Sequence, residues 1–173
     1  SPDTAFAFGY TVQAGDESSD LDYVGTDSFE VGSNVLRDNA GNVLVATLPL
    51  PGSVGSISAG KDIVIDTVAP TVTSVSSSTA DGAYVAGQSV SIQVAFSSAV
   101  NVTGTPTLKL ETGSVDRTIN CSNGNAITSI TCSYTVQAGD TSTDLDYTGT
   151  DALVLSTATI RDLASNDVIL TLS

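Results

Sequence analysis

The chain of 173 residues has no histidine, no tryptophan and no methionine, and only five basic residues and two cysteines. Each shortage excludes some chemistry. Without histidine, the side chain that most often serves as a general base near neutral pH is missing. Five Lys and Arg against nineteen Asp and Glu give a net charge of −14, so polyanions are repelled and nucleic acid and anionic bilayers are excluded as partners. No apolar run is long enough for a membrane-spanning helix, which excludes membrane insertion by that route. The opening residues, Ser1-Pro2-Asp3-Thr4, carry neither an initiator methionine nor a charged-then-apolar leader pattern, as expected of a mature or excised piece.

What remains is rich in Ser, Thr, Val, Gly and Asp, with 40% apolar residues and a mean hydropathy of +0.20. That composition supports a real core built from many short strands and turns, and points to an all-β protein. Its strongest internal signal is a duplication. Tyr10-Thr11-Val12-Gln13-Ala14-Gly15-Asp16, then Asp20-Leu21-Asp22-Tyr23 and Gly25-Thr26-Asp27, return as Tyr134 to Asp140, Asp144 to Tyr147 and Gly149 to Asp151. Arg37-Asp38 against Arg161-Asp162, and Asn42 against Asn166, extend the match without a gap. Roughly 21 of 39 positions from Tyr10 to Leu48 agree at one offset of about 124 residues, the mark of a tandem array.

Alternation predicts the strands. Phe6, Phe8, Tyr10 and Val12 fall on one face of a half-buried strand over residues 4–13, and the second copy offers Ile130, Cys132, Tyr134 and Val136 at the same places. Residues 43–48 read as a further strand, and Ile63-Val64-Ile65 as a buried closing strand. Pro70 after a completed strand places a seam near residue 67. The expected division is therefore residues 1–66, the C-terminal part of one repeat, and residues 67–173, a second repeat without its closing strand. Beyond the seam, Val90, Ile92, Val94 and Phe96 form the clearest period-two strand. Segments at 100–102, 107–110, 115–121 and from Ile127 onward bring the count to seven or more, as in an immunoglobulin-like sandwich.

Cys121 and Cys132 have no zinc-ligand partners nearby, so a disulfide is the leading reading, with two reduced core thiols as the alternative. Asn123-Gly124 is a strong two-residue hairpin signal. Such a hairpin would pair Cys121 with Ala126, and the expectation is instead a longer loop closed by the disulfide, stabilising by about 3 kcal/mol on the chain-entropy model.

The aspartates carry the candidate metal chemistry. Asp16, Asp20 and Asp22, repeated as Asp140, Asp144 and Asp146, gather carboxylates around one bend. Asp66 at the seam lies where a following repeat's loop, with its Asp81, would approach. Hard oxygen ligands of this kind suit Ca²⁺, which would stiffen an array at its joints. The spacing does not follow an EF-hand loop, and solvated aspartate is an equally weighted reading. Paired carboxylates can also serve a glycosidase, but tandem arrays of identical catalytic domains are unusual, and the chain reads as a non-enzyme.

Three longer stretches, Val72 to Ser78, Gly82 to Gly87 and Phe96 to Leu108, together with Tyr134 to Asp140, resemble the tandem Ig-like repeats of large bacterial surface proteins. These include adhesins and the repeats of cyanobacterial swimming-motility cell-surface proteins. The resemblance covers nearly all of the chain and departs from the family at Ser98, where many such repeats carry an acidic residue. It implies Ig-like β-sandwich repeats, one nearly complete domain preceded by the C-terminal part of another. It also implies a structural and adhesive spacer outside a bacterial cell, with neighbouring repeats as its partners. Strand complementation between copies is a second way for the cut ends to be completed. The competing class is a carbohydrate-binding module. It needs an exposed aromatic face, whereas Tyr10, Tyr23, Tyr134 and Tyr147 are expected to point inward.

Overall fold

The computed structural model describes residues 5–172. It divides into two compact units, Ser1–Val68 and Ala69–Ser173. Its strands are β1 (Glu17–Ser18), β2 (Ile65–Asp66), β3 (Val72–Ser77), β4 (Ser89–Thr103), β5 (Thr107–Glu111), β6 (Arg117–Asn120), β7 (Gly124–Thr135), β8 (Asp146–Tyr147), β9 (Leu153–Val154) and β10 (Thr159–Asp162). One short helix, α1 (Ile57–Gly60), interrupts them. The class is all-β and every strand pair is antiparallel.

The second unit holds the core. β4 is its centre: the first half pairs with β3, the second half with β10, and β7 pairs with both halves. Burial alternates along β4, with Val90, Ile92, Val94 and Phe96 inward, as a period-two strand requires. The alternation breaks at Ser97-Ser98, where the register against β7 shifts between Ala95 and Val100, and resumes with Val100 and Val102. The segments expected as two strands are thus one strand of 15 residues. In the second sheet β5 is central, flanked by β6 and by β8 and β9. Leu108 and Leu110 of β5, fully buried, meet Val94, Val100 and Ile130 of the first sheet in one cluster, so the two sheets close on each other as a sandwich.

Cys121 and Cys132 form a disulfide. They face each other across an isolated antiparallel bridge, and Ser122 N–H donates to Thr131 O at 2.8 Å, so the link joins β6 of one sheet to β7 of the other. The long loop expected between the cysteines is absent. Gly124 already begins β7, which reaches back along β4 as far as Val102; extended pairing with β4 replaces both the loop and the Asn123-Gly124 hairpin.

The first unit is different in kind. No apolar residue between 5 and 68 is buried, and Ser56 is the one buried side chain there. The strand expected over residues 4–13 does not form over its described part: Phe6, Phe8 and Tyr10 are 59%, 78% and 57% exposed, with Phe29 packed loosely on the two phenylalanines. Residues 43–48 make a single bridge, Arg37 to Val43, rather than a strand. Ile63 and Val64 are largely exposed, and only Ile65-Asp66 pairs, with Glu17-Ser18. The physical reason is the missing partner. In the second copy the matching segment is β7, which is buried because it lies along β4, and the first copy has no counterpart of β4 within this chain. A strand with no neighbour leaves its backbone groups to water and gains nothing from alternation.

Phe6 and Ile130 occupy the same repeat position, one exposed and one fully buried. Ile130→Ala is expected to cost about 2–5 kcal/mol of the second unit's stability. Phe6→Ala is expected to cost well under about 1 kcal/mol. Urea unfolding of the two variants measures both, and equal losses would contradict this division of the core.

Candidate functional site

The second unit holds a cleft of about 550 Å³. One wall is the end of β3 with the loop around Asp81 and Tyr84, the other is the 140–147 segment, and apolar floor residues such as Val90, Ile92 and Leu110 lie between. The lining draws on both sheets, with Tyr134 of β7 as well as residues of β3, β4, β5 and β8.

The duplicated Tyr-Thr-Val-Gln-Ala-Gly-Asp block builds its rear wall, by the same local geometry in both copies. Asp140 N–H donates to Gln137 O at 3.2 Å and Asp16 N–H to Gln13 O at 3.1 Å, closing a four-residue turn. Gly139 and Gly15 sit at φ 94° in the third place of that turn, where a type II turn demands positive φ and therefore glycine. The aspartate then turns back. Its Oδ2 accepts from the Gln137 amide at 2.9 Å and from the Tyr134 hydroxyl at 2.6 Å; in the first copy Asp16 accepts from Gln13 and Tyr10 at 2.6 and 2.5 Å.

The second copy adds one partner. Arg117 from β6 donates Nε and a terminal nitrogen to Asp140 Oδ1 at 2.8 and 2.7 Å. Only 4% of the Asp140 side chain is exposed. The guanidinium first, and then the Tyr134 hydroxyl, hold its carboxyl at about 2, while burial and the hydrogen bond to Asp140 push the Tyr134 phenol up to about 12. A charge-assisted pair of this geometry is a fixed structural tie across the sheets.

Asp22 and Asp146 share a repeat position but not an environment. Loss of water is the largest influence on Asp22 and acts to raise its pKa. Hydrogen bonds from the Ser58 hydroxyl at 2.6 Å and the Gly52 and Tyr23 amides at 3.1 and 2.9 Å outweigh it, and the group lies far below the usual carboxylate range. Asp146 is exposed and accepts from the Tyr147 amide at 2.8 Å. Asp20, Asp81 and Asp144 are exposed, Asp81 and Asp144 at the cleft. Asp66 closes β2, its Oδ1 accepting from Val68 N–H at 3.0 Å.

Of the eight aspartates expected as calcium ligands, the fold therefore brings Asp81, Asp140, Asp144 and Asp146 to one cleft, and places Asp16, Asp20, Asp22 and Asp66 in the first unit. Among the described residues no three acidic, cysteine or histidine side chains come together as a metal-holding group. Sequence reasoning missed Arg117. The available signal was scarcity, since only five basic residues exist to balance nineteen acids. Compared with protein-family models, with curated proteins and with solved structures, the chain matches none.

The Arg117, Tyr134 and Asp140 tie carries a pH dependence. Its aspartate has a folded pKa of about 2, below the unfolded value of about 3.9. The stability it supplies is therefore complete above about pH 4 and is lost as pH falls through about 2. Asp140→Asn is expected to flatten this part of the acid-unfolding curve, followed by circular dichroism. An unaltered curve in Asp140→Asn would contradict the assignment.

Proposed function

We propose that this chain is a segment of a tandem array of Ig-like β-sandwich repeats, acting as a structural and adhesive spacer in a bacterial cell-surface or extracellular fibre. The observation that carries the reading is the 124-residue duplication, in which identical turn chemistry recurs while only the copy supplied with β4 to β6 packs a core. A segment that needs strands from earlier in its own period is suited to a continuous run of repeats. The cleft contains no histidine, and its buried carboxylate is committed to Arg117 and Tyr134, so no catalytic role is assigned to it. The surplus of acidic residues suits a solvated exterior, and an extracellular location goes with the resemblance to surface-protein repeats.

A spacer lengthens in constant steps. Polypeptides carrying one, two and three further 124-residue periods are expected to gain a fixed increment in maximum dimension by small-angle scattering. The increment is on the order of 40–50 Å, the run of a strand as long as β4. Growth as a compact ball, by a shrinking increment, would sink the proposal.

A second reading, a carbohydrate-binding module, draws on the cleft itself, where Tyr84 and Tyr147 stand beside Asp81 and Asp144. Calcium belongs to the spacer reading as a stiffening ligand, and it would draw on Asp81, Asp144 and Asp146, exposed carboxylates at the cleft. In that form of the proposal Ca²⁺ raises Tm, and Asp144→Asn removes the rise. Calorimetry that finds no heat of binding and no shift in Tm would remove calcium from it.

A further inference from the structure

Asn123-Gly124 lies where the chain passes from β6 of one sheet to β7 of the other. It is the one Asn-Gly pair in the sequence; the other seven asparagines are followed by Val, Ala, Cys or Asp. Packing, and not backbone conformation, requires the glycine: its φ is not positive, but a Cβ there would press on Ile127, 3.0 Å from Cδ1 and 3.2 Å from Cγ2. Asn123 is exposed and outside the strands. Its side-chain amide donates to Gly104 O at 3.4 Å, long for such a bond. Asn42, by contrast, gives both its backbone and its side-chain N–H to Asp38 at 2.8 Å, and Asn101 Oδ1 accepts from Ala126 N–H at 2.9 Å. Gly124 opens β7, and its pairing with Val102 lies past a register shift in the ladder with β4, at an end that frays before the middle does.

We propose that Asn123 is a site of spontaneous covalent modification in the folded chain, losing its side-chain nitrogen through a ring closed onto Gly124. The Gly124 backbone nitrogen forms a bond to Asn123 Cγ, the Cγ–Nδ2 bond breaks, and ammonia leaves with the proton that the Gly124 N–H gave up. Glycine permits the attack because no side chain screens its nitrogen. Water then opens the five-membered imide at one of its two carbonyls. Opening at Cγ leaves aspartate; opening at the backbone carbonyl leaves isoaspartate, whose main chain runs through Cβ and Cγ and is longer by one methylene. Either product adds one negative charge to a chain already at −14. The extra methylene falls between two anchored points. Before it, Cys121 is held by the disulfide and by its N–H to Pro106 O at 2.8 Å, and Ser122 N–H donates to Thr131 O at 2.8 Å. After it, Ile127 lies against Gly124 and pairs with Val100. The added length is therefore taken up where Gly124 pairs with Val102. Residues 101–132 carry all of this, so it stands whether or not the chain belongs to a tandem array.

The test ages the full chain at mildly alkaline pH, folded and in denaturing urea, and follows the intact mass and the mass of the proteolytic peptide that carries residue 123. Replacement of NH2 by OH adds one mass unit. Mass is the readout because Asp81-Gly82 can close the same ring by losing water and reopen with no net change. The gain is expected first at Asn123, in the folded chain within ten-fold of its rate in urea, and to vanish from that peptide in Asn123→Gln, whose ring would need six members. Amide shifts in the converted chain are expected at Val102 and Gly124 and absent at Ile92, which pairs with Cys132 beyond the disulfide. Conversion in urea with none in the folded chain over the same period would overturn the site, as would a first gain at any other asparagine. Shifts spread along the whole of β7 would overturn the confinement of the added length.

Discussion

Pairing to β4 is the constraint on which the rest of the molecule depends. Its 15 residues pair with β3, β7 and β10, and its inward face meets β5 across the core. Wherever the repeated sequence has this strand beside it, alternating residues become a buried face. Without it the same alternation leaves Phe6, Phe8 and Tyr10 in water. Each such side chain forgoes about 1.5–3 kcal/mol of burial, and a few of these amount to the whole stability of an ordinary domain. The contrast between the two units is therefore one of available neighbours and not of sequence quality.

Several of the chain's aspartates hold turns. Asp38 receives the Ala40 and Asn42 amides and the Asn42 side chain, and Asp162 receives the Asn166 amide and side chain in the matching place. Asp16 and Asp140 close the Gln-Ala-Gly-Asp turns in the same way. An aspartate that accepts from amides two to four residues away substitutes for backbone pairing where a strand must stop abruptly.

Much of this was legible from local chemistry. Alternation at Val90 to Phe96 and at Thr107 to Leu110 marked the two central strands, and the Asp and Asn turns stand where their chemistry predicts. The pairing of Cys121 with Cys132 followed from their proximity. Three features were not legible, for physical reasons. Alternation reports which face a residue would bury and says nothing about whether a partner strand is present, so the strands of the first copy looked as well patterned as those of the second. Ser97-Ser98 interrupts the pattern inside β4, because a register shift lets polar residues pass through an unbroken strand. Asn123-Gly124 is a hairpin signal only when the strands on both sides belong to one sheet; here β6 and β7 belong to two. At the cleft, the aspartates were visible but their partners were not, since Arg117 reaches Asp140 across 23 residues with no periodic signature.

The covalent bond between β6 and β7 binds the two sheets along a single margin, as a spine binds pages. Thermal parting of the sheets is then held at two points, the Cys121 to Cys132 link and the Arg117 to Asp140 tie, and the widest travel falls to the opposite margin, where β3 of one sheet and β8 and β9 of the other carry neither. Breathing of the fold is thereby steered to one side, and solvent gains access to the interior through that edge sooner than through any other.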